Sequence, residues 1–259
     1  NALLSENILS LYFVNNGTLL IGTDKGLNYF DINNEKFSSE PQLKNKSINN
    51  IIELDGEILF FTNTNIYKQS NNSLVLYKSN NIFSNVNSDG KSNLFWEKGN
   101  SKILYNGKAF DLKKNVNDVF QLNSDFIVST SDGLVNLSSR KLIAEKSDYR
   151  LQKRQNIDLI NFYDDERYKK IKIDKFDSYV FTNSHFWFVS GGKVGRVGFE
   201  SNTAENFEYN PRNPNSFPKS ASVIAQHNGF LWVGSSETGL YKYASNNLSL
   251  VKHYQFDIN

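Results

Sequence analysis

The chain of 259 residues contains no cysteine and no methionine, only four prolines and three tryptophans. Without cysteine there is no disulfide framework, no thiolate nucleophile and no thiolate metal site. Cohesion must come from buried apolar surface, which a chain of this length can supply. The missing methionine, the initiating one included, leads us to expect an excised piece of a larger protein whose anchoring parts lie elsewhere. No apolar run approaches the ~18 residues of a membrane span. The net charge is only +2 and is spread along the chain, which leaves no electrostatic footprint for nucleic acid. The basic cluster between Lys141 and Lys175 is interleaved with acids and reads as a solvated face.

What the chain does have is aromatic residues, 20 Phe and 13 Tyr, which favour strands, and many asparagines, which favour turns. Gly17 to Asp31, GTLLIGTDKGLNYFD, has a short apolar run, then Asp24-Lys25-Gly26, then a second run. This is a hairpin pattern. Gly229 to Tyr243, GFLWVGSSETGLYKY, repeats it. Degraded copies are EILFFTNTNIYKQ from Glu57, DFIVSTSDGLVNL from Asp125 and HFWFVSGGKVGRV from His185. In the second copy Asn65 replaces Gly26, and a left-handed turn is expected there.

The hydroxyl anchors are Thr23, Thr62, Thr130, Ser190 and Ser235. The double interval from 62 to 130 calls for one more unit, carried by NLFWEKG or KILYNGKAFDL, with the register open between them. Units of roughly 35 to 45 residues are the signature of a repeat architecture.

Each unit opens with an alternating strand, among them ENILSLYFV, SINNIIEL, NVNDVFQL, FDSYVFT and SASVIAQ. A turn such as Asp55-Gly56 or Asn228-Gly229 follows, which is a strong hairpin signal. A weaker fourth strand closes the unit, as in LVLYKS or LVKHYQF. The expectation is an all-β β-propeller of about six four-stranded antiparallel blades, forming a single domain over residues 1–259. Stacking buries sheet faces that an isolated unit would leave wet. Residues 150–176 are expected to be a hairpin insertion, a seventh blade being the alternative. ENFEYNPRNPNSFPKSA, from Glu205, is expected to link two blades.

These residues resemble the two-component regulator propeller repeat. LLIGTDKGLNYFD and LWVGSSETGLYKY match its L-W-I-G-T-like strand end and Gly-Leu start, and NPRNPNSF is similar to its Asn-Pro-Asn-Ser linker. The similarity is specific at the two ends of the chain and fades between Asn80 and Lys175. It implies the periplasmic sensor module of a membrane-anchored bacterial histidine kinase or hybrid two-component receptor, many of which respond to oligosaccharides. It also implies a homodimer through the full-length receptor. The chain itself carries no kinase, receiver or DNA-binding segment.

Enzymatic chemistry finds little support. His185, His227 and His253 recur at no metal-ligand spacing, and no cofactor or metal is expected. Asn85 to Gly90 resembles the start of a calcium loop, but Trp96 stands where the closing Glu should be. Asp164-Asp165-Glu166 reads as a solvated turn rather than a glycosidase pair. Gly191 to Gly195 has no following helix to make a phosphate site. Trp187 and Trp232 read as packing between blades, and Tyr163, Tyr168 or Phe217 would better suit a sugar platform.

In an up-and-down blade, the loop between strands two and three shares a face with the linker between blades. Propeller ligands sit on that face among convergent polar groups. The candidate ligand-binding residues are therefore Thr23, Asp24, Lys25, Asn63, Asn65, Ser131, Asp132, Gly191, Arg212, Asn215, Ser235, Ser236 and Glu237. The expected role is non-catalytic sensing of a small molecule or oligosaccharide in the periplasm. A secreted polysaccharide-acting propeller enzyme and a protein-binding scaffold are the alternatives.

Overall fold

The computed structural model describes residues 3–14, 17–70, 73–79, 83–88, 92–122, 125–130, 133–137, 141–145, 177–182, 184–198 and 204–256. The insertion or seventh blade expected at 150–176 lies outside them. Among the described residues regular structure is nearly all strand, with one short 3-10 turn at Pro41–Leu43.

Among the described residues, six four-stranded sheets follow one another along the chain. The first holds β1 (Ile8–Val14), β2 (Thr18–Thr23), β3 (Gly26–Asp31) and β4 (Lys36–Ser39). The second holds β5 (Asn50–Leu54), β6 (Glu57–Phe61), β7 (Ile66–Ser70) and β8 (Ser73–Lys78). The third holds β9 (Asn85–Ser88), β10 (Asn93–Trp96), β11 (Lys102–Tyr105) and β12 (Lys108–Asp111). The fourth holds β13 (Val116–Leu122), β14 (Asp125–Thr130), β15 (Gly133–Asn136) and β16 (Lys141–Glu145). The fifth holds β17 (Ser178–Phe181), β18 (His185–Ser190), β19 (Lys193–Gly198) and β20 (Ala204–Phe207). The sixth holds β21 (Ala221–His227), β22 (Phe230–Ser235), β23 (Leu240–Ala244) and β24 (Leu250–Tyr254).

The chain divides into two compact units. The first contains the first, fifth and sixth sheets whole, and the other contains the third and fourth. Against the expectation of about six or seven blades, five blades are thus whole within a unit, while the β5–β8 sheet is divided between the two. Both open candidates for the missing unit fall in the third blade: NLFWEKG supplies β10, and KILYNGKAFDL supplies β11 and β12.

Turn chemistry sets the hairpins. Asp55-Gly56, Asn106-Gly107 and Asn228-Gly229 have positive φ at both residues, 52° and 80°, 48° and 75°, 46° and 77°. This conformation matches the twist of the flanking strands. The left-handed turn expected at Asn65 does not form, since Asn65 is absent from the residues with positive φ. In the first blade Thr23 pairs with Gly26, leaving two residues to reverse the chain. Between β6 and β7 four residues are available, 62–65, so Asn65 itself need not reverse it.

Within the first unit the blades pack face to face in propeller fashion. Leu19, Ile21, Phe30 and Phe37 of the first blade form one cluster with Trp232, Leu240 and Tyr254 of the sixth. On the sixth blade's other face, Leu231, Val233 and Tyr243 pack with Trp187, Val189 and Val194 of the fifth. In the second unit Leu94, Trp96 and Ile103 meet Val116, Val119, Phe126 and Val128. Second strands have neighbours on both faces, which is why TLLIGT and FLWVGS are buried at five of six positions. Each large side chain so buried contributes about 1.5–3 kcal/mol.

Candidate functional site

In four blades, the first, third, fifth and sixth, the second-to-third loop is fastened to the entry of the next first strand. Ile48 N donates to Thr23 O over 2.9 Å, Val116 N to Asn100 O over 2.9 Å, and Ala221 N to Gly192 O over 3.0 Å. Where the chain's two ends meet, Gly239 N donates to Glu6 O over 2.9 Å. Loops and inter-blade linkers therefore share one face within each unit. The first strand bulges at the same place in three blades, between Ile8 and Ser10, Val116 and Asp118, and Ala221 and Val223. A bulge bends the strand where the linker joins it.

The glycine before the anchor in the first and sixth blades, Gly22 and Gly234, is explained by this junction. A Cβ on Gly22 would lie 2.1 Å from Ser10 Oγ and 2.6 Å from Ile48 O, and one on Gly234 would lie 2.6 Å from Ile8 Cγ2. The blade's own first strand (Ser10, Val223) and the segment that follows in the ring (Ile48, Ile8) together occupy that space, so the Gly is a packing requirement in these two blades.

The structure divides the thirteen candidates. Thr23 and Ser235 are fully buried, and their hydroxyls serve the turns. Thr23 Oγ1 donates to Gly26 O and accepts from Lys25 N, while Ser235 Oγ accepts from Glu237 N and Thr238 N. Asn215 Oδ1 accepts from Leu250 N over 2.9 Å and ties the proline-bearing linker to β24. Gly191 N donates to Asp177 Oδ2 over 2.9 Å. These four are parts of the frame.

Lys25, Arg212, Ser236 and Glu237 are exposed on the same unit, and Asp24 Oδ1 is buried with no hydrogen-bond partner. Asn63 is exposed and accepts from Asn49 Nδ2 over 2.8 Å, joining its loop to the linker. Asn65 belongs to the other unit and lies within reach of the Tyr67 hydroxyl, at 3.4 Å. Ser131 and Asp132 lie outside the described residues, as do Asp164-Asp165-Glu166, Tyr163 and Tyr168.

Phe217 is no sugar platform. It is 3 % exposed and stacks into the interblade core against Tyr243, with ring centroids 4.5 Å apart. Trp187 and Trp232 are buried between blades, as their shared register implies. An aromatic shelf that the sequence did not reveal stands beside the sixth blade's loop. Tyr241 and His253 are cross-strand partners, stacked 3.9 Å apart. Tyr241 donates its hydroxyl to Thr238 Oγ1, and His253 Nε2 bonds the carbonyl of Thr238. Burial raises the Tyr241 phenol above its usual range, and the nearby phenol of Tyr209 and carboxylate of Glu6 add to the shift. Tyr209, from the linker, is half exposed. Only the pairing of β23 with β24, read together with the linker's path, could have brought these residues together.

The other histidines also lie against aromatic rings. His227 stacks on Phe13 at 4.4 Å. His185 sits near Trp187, and burial and the charge of Arg196 hold its pKa below the usual value. Arg196 is bound to Glu205 and lies over the Trp187 ring. Gly191-Gly192 forms the two-residue turn into β19. Among the described residues no three His, Asp or Glu side chains stand together as a metal site.

No family model and no curated relative matches the chain. Solved structures do. The extracellular domain of a candidate one component system from B. thetaiotaomicron aligns with 91 % of this chain at 11 % identity and a TM-score of 0.51. A protein of unknown function from Bacteroides thetaiotaomicron aligns with 92 % at 10 % identity and 0.56, over 69 % of its own length. A catalytically inactive virginiamycin B lyase from Staphylococcus aureus aligns with the full chain at 13 % identity and 0.51, over 88 % of its own length.

The likeness is one of fold. The chain spans about a third, 32 %, of the length of that extracellular domain.

Proposed function

We propose that the protein is an extracytoplasmic ligand-sensing propeller of a bacterial signalling receptor. It binds a hydroxyl-rich small molecule or oligosaccharide on the face that carries the second-to-third loops. The observation carrying this reading is the interlocked loop and linker frame of the first unit. Backbone bonds hold the loops, so the exposed side chains of Lys25, Arg212, Ser236 and Glu237 project from fixed points. Fixed polar groups lose little conformational freedom on binding. The fold shared with the extracellular domain of a bacterial one component system supports the setting, as does the resemblance of the two terminal repeats to sensor propellers. Binding would shift the population of a two-state element elsewhere in the receptor.

A thermal-shift screen against neutral and acidic oligosaccharides tests the reading. A ligand at a hundred times its Kd stabilises by about 2.7 kcal/mol. Lys25→Ala, Arg212→Ala or Glu237→Ala should reduce the ligand-induced shift and leave the unliganded melting temperature in place. Absence of a shift with every glycan would refute it.

A second reading, a lyase, is favoured by the full-length alignment with virginiamycin B lyase. Incubation with quinupristin, followed by mass spectrometry, separates the two readings: turnover supports the lyase and displaces the sensor.

A further inference from the structure

The residue after the hydroxyl anchor opens the second-to-third loop, and in three blades it is tied to the residue just ahead of the same blade's first strand. In the second blade Asn63 Oδ1 accepts from Asn49 Nδ2 over 2.8 Å. In the fifth, Gly191 N donates to Asp177 Oδ2 over 2.9 Å. In the sixth, Ser236 donates its N–H and its hydroxyl to Ser220 O, over 2.9 and 3.3 Å. The first blade has Asp24 and Asn7 at these two positions, next in register beyond the pairing of Thr23 with Ile8. There the tie is missing. Asp24 Oδ1 and Asn7 Oδ1 are both buried, and neither has a hydrogen-bond partner. A carboxylate oxygen and an amide oxygen only accept, so neither oxygen satisfies the other. The Lys25 ammonium is exposed and does not reach the Asp24 oxygen. Unpaired buried acceptors cost stability, and a carboxylate costs most.

We propose that Asp24 Oδ1 and Asn7 Oδ1 form a subsite for a protonated primary amine, such as that of an amino sugar. Both residues lie on the loop-bearing face, and the assignment rests on the sensing role given to that face above. An ammonium carries three N–H donors and no acceptor, so it suits two oxygens that only accept and supplies the charge the carboxylate lacks. Bonds of this charge-assisted kind are about twice as strong as neutral ones. A neutral hydroxyl donates one bond and leaves the charge uncompensated. Holding two acceptors ready lowers the stability of the unliganded protein, the usual exchange of stability for function at a binding site.

Thermal melting with glucosamine oligomers and with their N-acetylated counterparts provides the test. The free-amine oligomers should raise the melting temperature, and the acetylated ones, which carry no charge, should bind at least about tenfold more weakly. Asp24→Asn sets an amide beside Asn7, as Asn63 stands beside Asn49. It should raise the melting temperature of the unliganded protein by about 2 °C or more, and should weaken the free-amine oligomers at least about tenfold. Asn7→Ala removes the other acceptor and should weaken them too. Equal binding of the acetylated oligomers, or amine binding indifferent to both variants (as when water alone fills the subsite), would overturn the subsite and leave the sensing face standing. So would binding of other glycans but not of the free-amine oligomers. An Asp24→Asn variant that melts lower than the parent would assign the carboxylate to the turn and overturn the subsite as well. No shift with any glycan would remove the subsite and the sensing role together.

Discussion

Ser222 donates its hydroxyl to the main-chain oxygen of Ile8 over 2.6 Å, across 214 residues of sequence. The bond joins the first strand of the sixth blade to the first strand of the first. It has counterparts. Ser10 Oγ donates to Ile48 O over 3.0 Å, and Ser178 Oγ accepts from Ile224 N over 3.1 Å. Serines on first strands thus link the fifth blade to the sixth, the sixth to the first, and the first to the segment that enters β5. Ser222→Ala and Ser10→Ala should each cost about 1 kcal/mol, the usual net value of such a bond. They lie at different junctions, so the double variant should cost the sum, read from urea midpoints.

Gly22 and Gly229 should respond to alanine for different reasons. At Gly22 the new Cβ meets Ser10 Oγ and Ile48 O below van der Waals distance, an overpacking that costs about 1–3 kcal/mol. At Gly229 the space is open but φ is 77°, so only backbone strain of about 1 kcal/mol applies. Adding Ser10→Ala should relieve part of the Gly22→Ala loss and none of the Gly229→Ala loss, as chemical denaturation of the four variants would show.

Trp232 is 1 % exposed and its indole nitrogen has no partner. It lies edge-on to Phe13 and Phe30, with Lys242 above its ring at 5.1 Å. Trp232→Ala should cost about 3–5 kcal/mol through the cavity it leaves. Trp232→Phe keeps the aromatic contacts and removes an unpaired donor, and should cost under about 1.5 kcal/mol. Equal losses in the two variants, measured by thermal unfolding, would mean that the indole nitrogen carries an interaction of its own.

Alkaline stability depends on buried phenols. Burial, with the neighbouring Glu40 carboxylate, pushes Tyr29 up to about 12 from 10.0. Burial also raises Tyr243, and burial with Glu35 raises Tyr254. A folded pKa above the unfolded one gives stability that is whole below pH 10 and is lost as pH rises towards 12, because the unfolded chain releases its protons first. Spectrophotometric titration should show these tyrosines ionising only on unfolding, and Tyr29→Phe should flatten the loss of stability across that window.

The repeat was legible because each blade needs the same residues in the same places. The hydroxyl anchors Thr23 and Ser235 cap the same turn, and the glycines before them admit the next blade. The third blade was hard to register, since it keeps Trp96 but lacks both the anchor hydroxyl and the Gly-Leu start. The candidate face was legible from topology alone, as the bonds from Ile48 to Thr23 and from Ala221 to Gly192 show. Its individual members were less so. Thr23, Ser235 and Asn215 looked like free polar groups, yet a polar side chain beside a turn finds the nearest backbone donor when its neighbours exclude water. The shelf of Tyr209, Tyr241 and His253 joins a linker to a cross-strand pair and leaves no mark in local spacing.

The sequence alone determined the strand periodicity, the hairpin turns and the recurrence of one unit. These rest on alternation and on backbone preferences that act within a few residues. Tertiary structure alone decided which surfaces are covered: that Phe217 is core, that the ends of the chain meet at Ser222 and Ile8, and that the apolar run of β8, Val75 to Tyr77, lies open. Burial and inter-blade bonds depend on what is stacked against each sheet, and the stacking partner can be the whole length of the chain away.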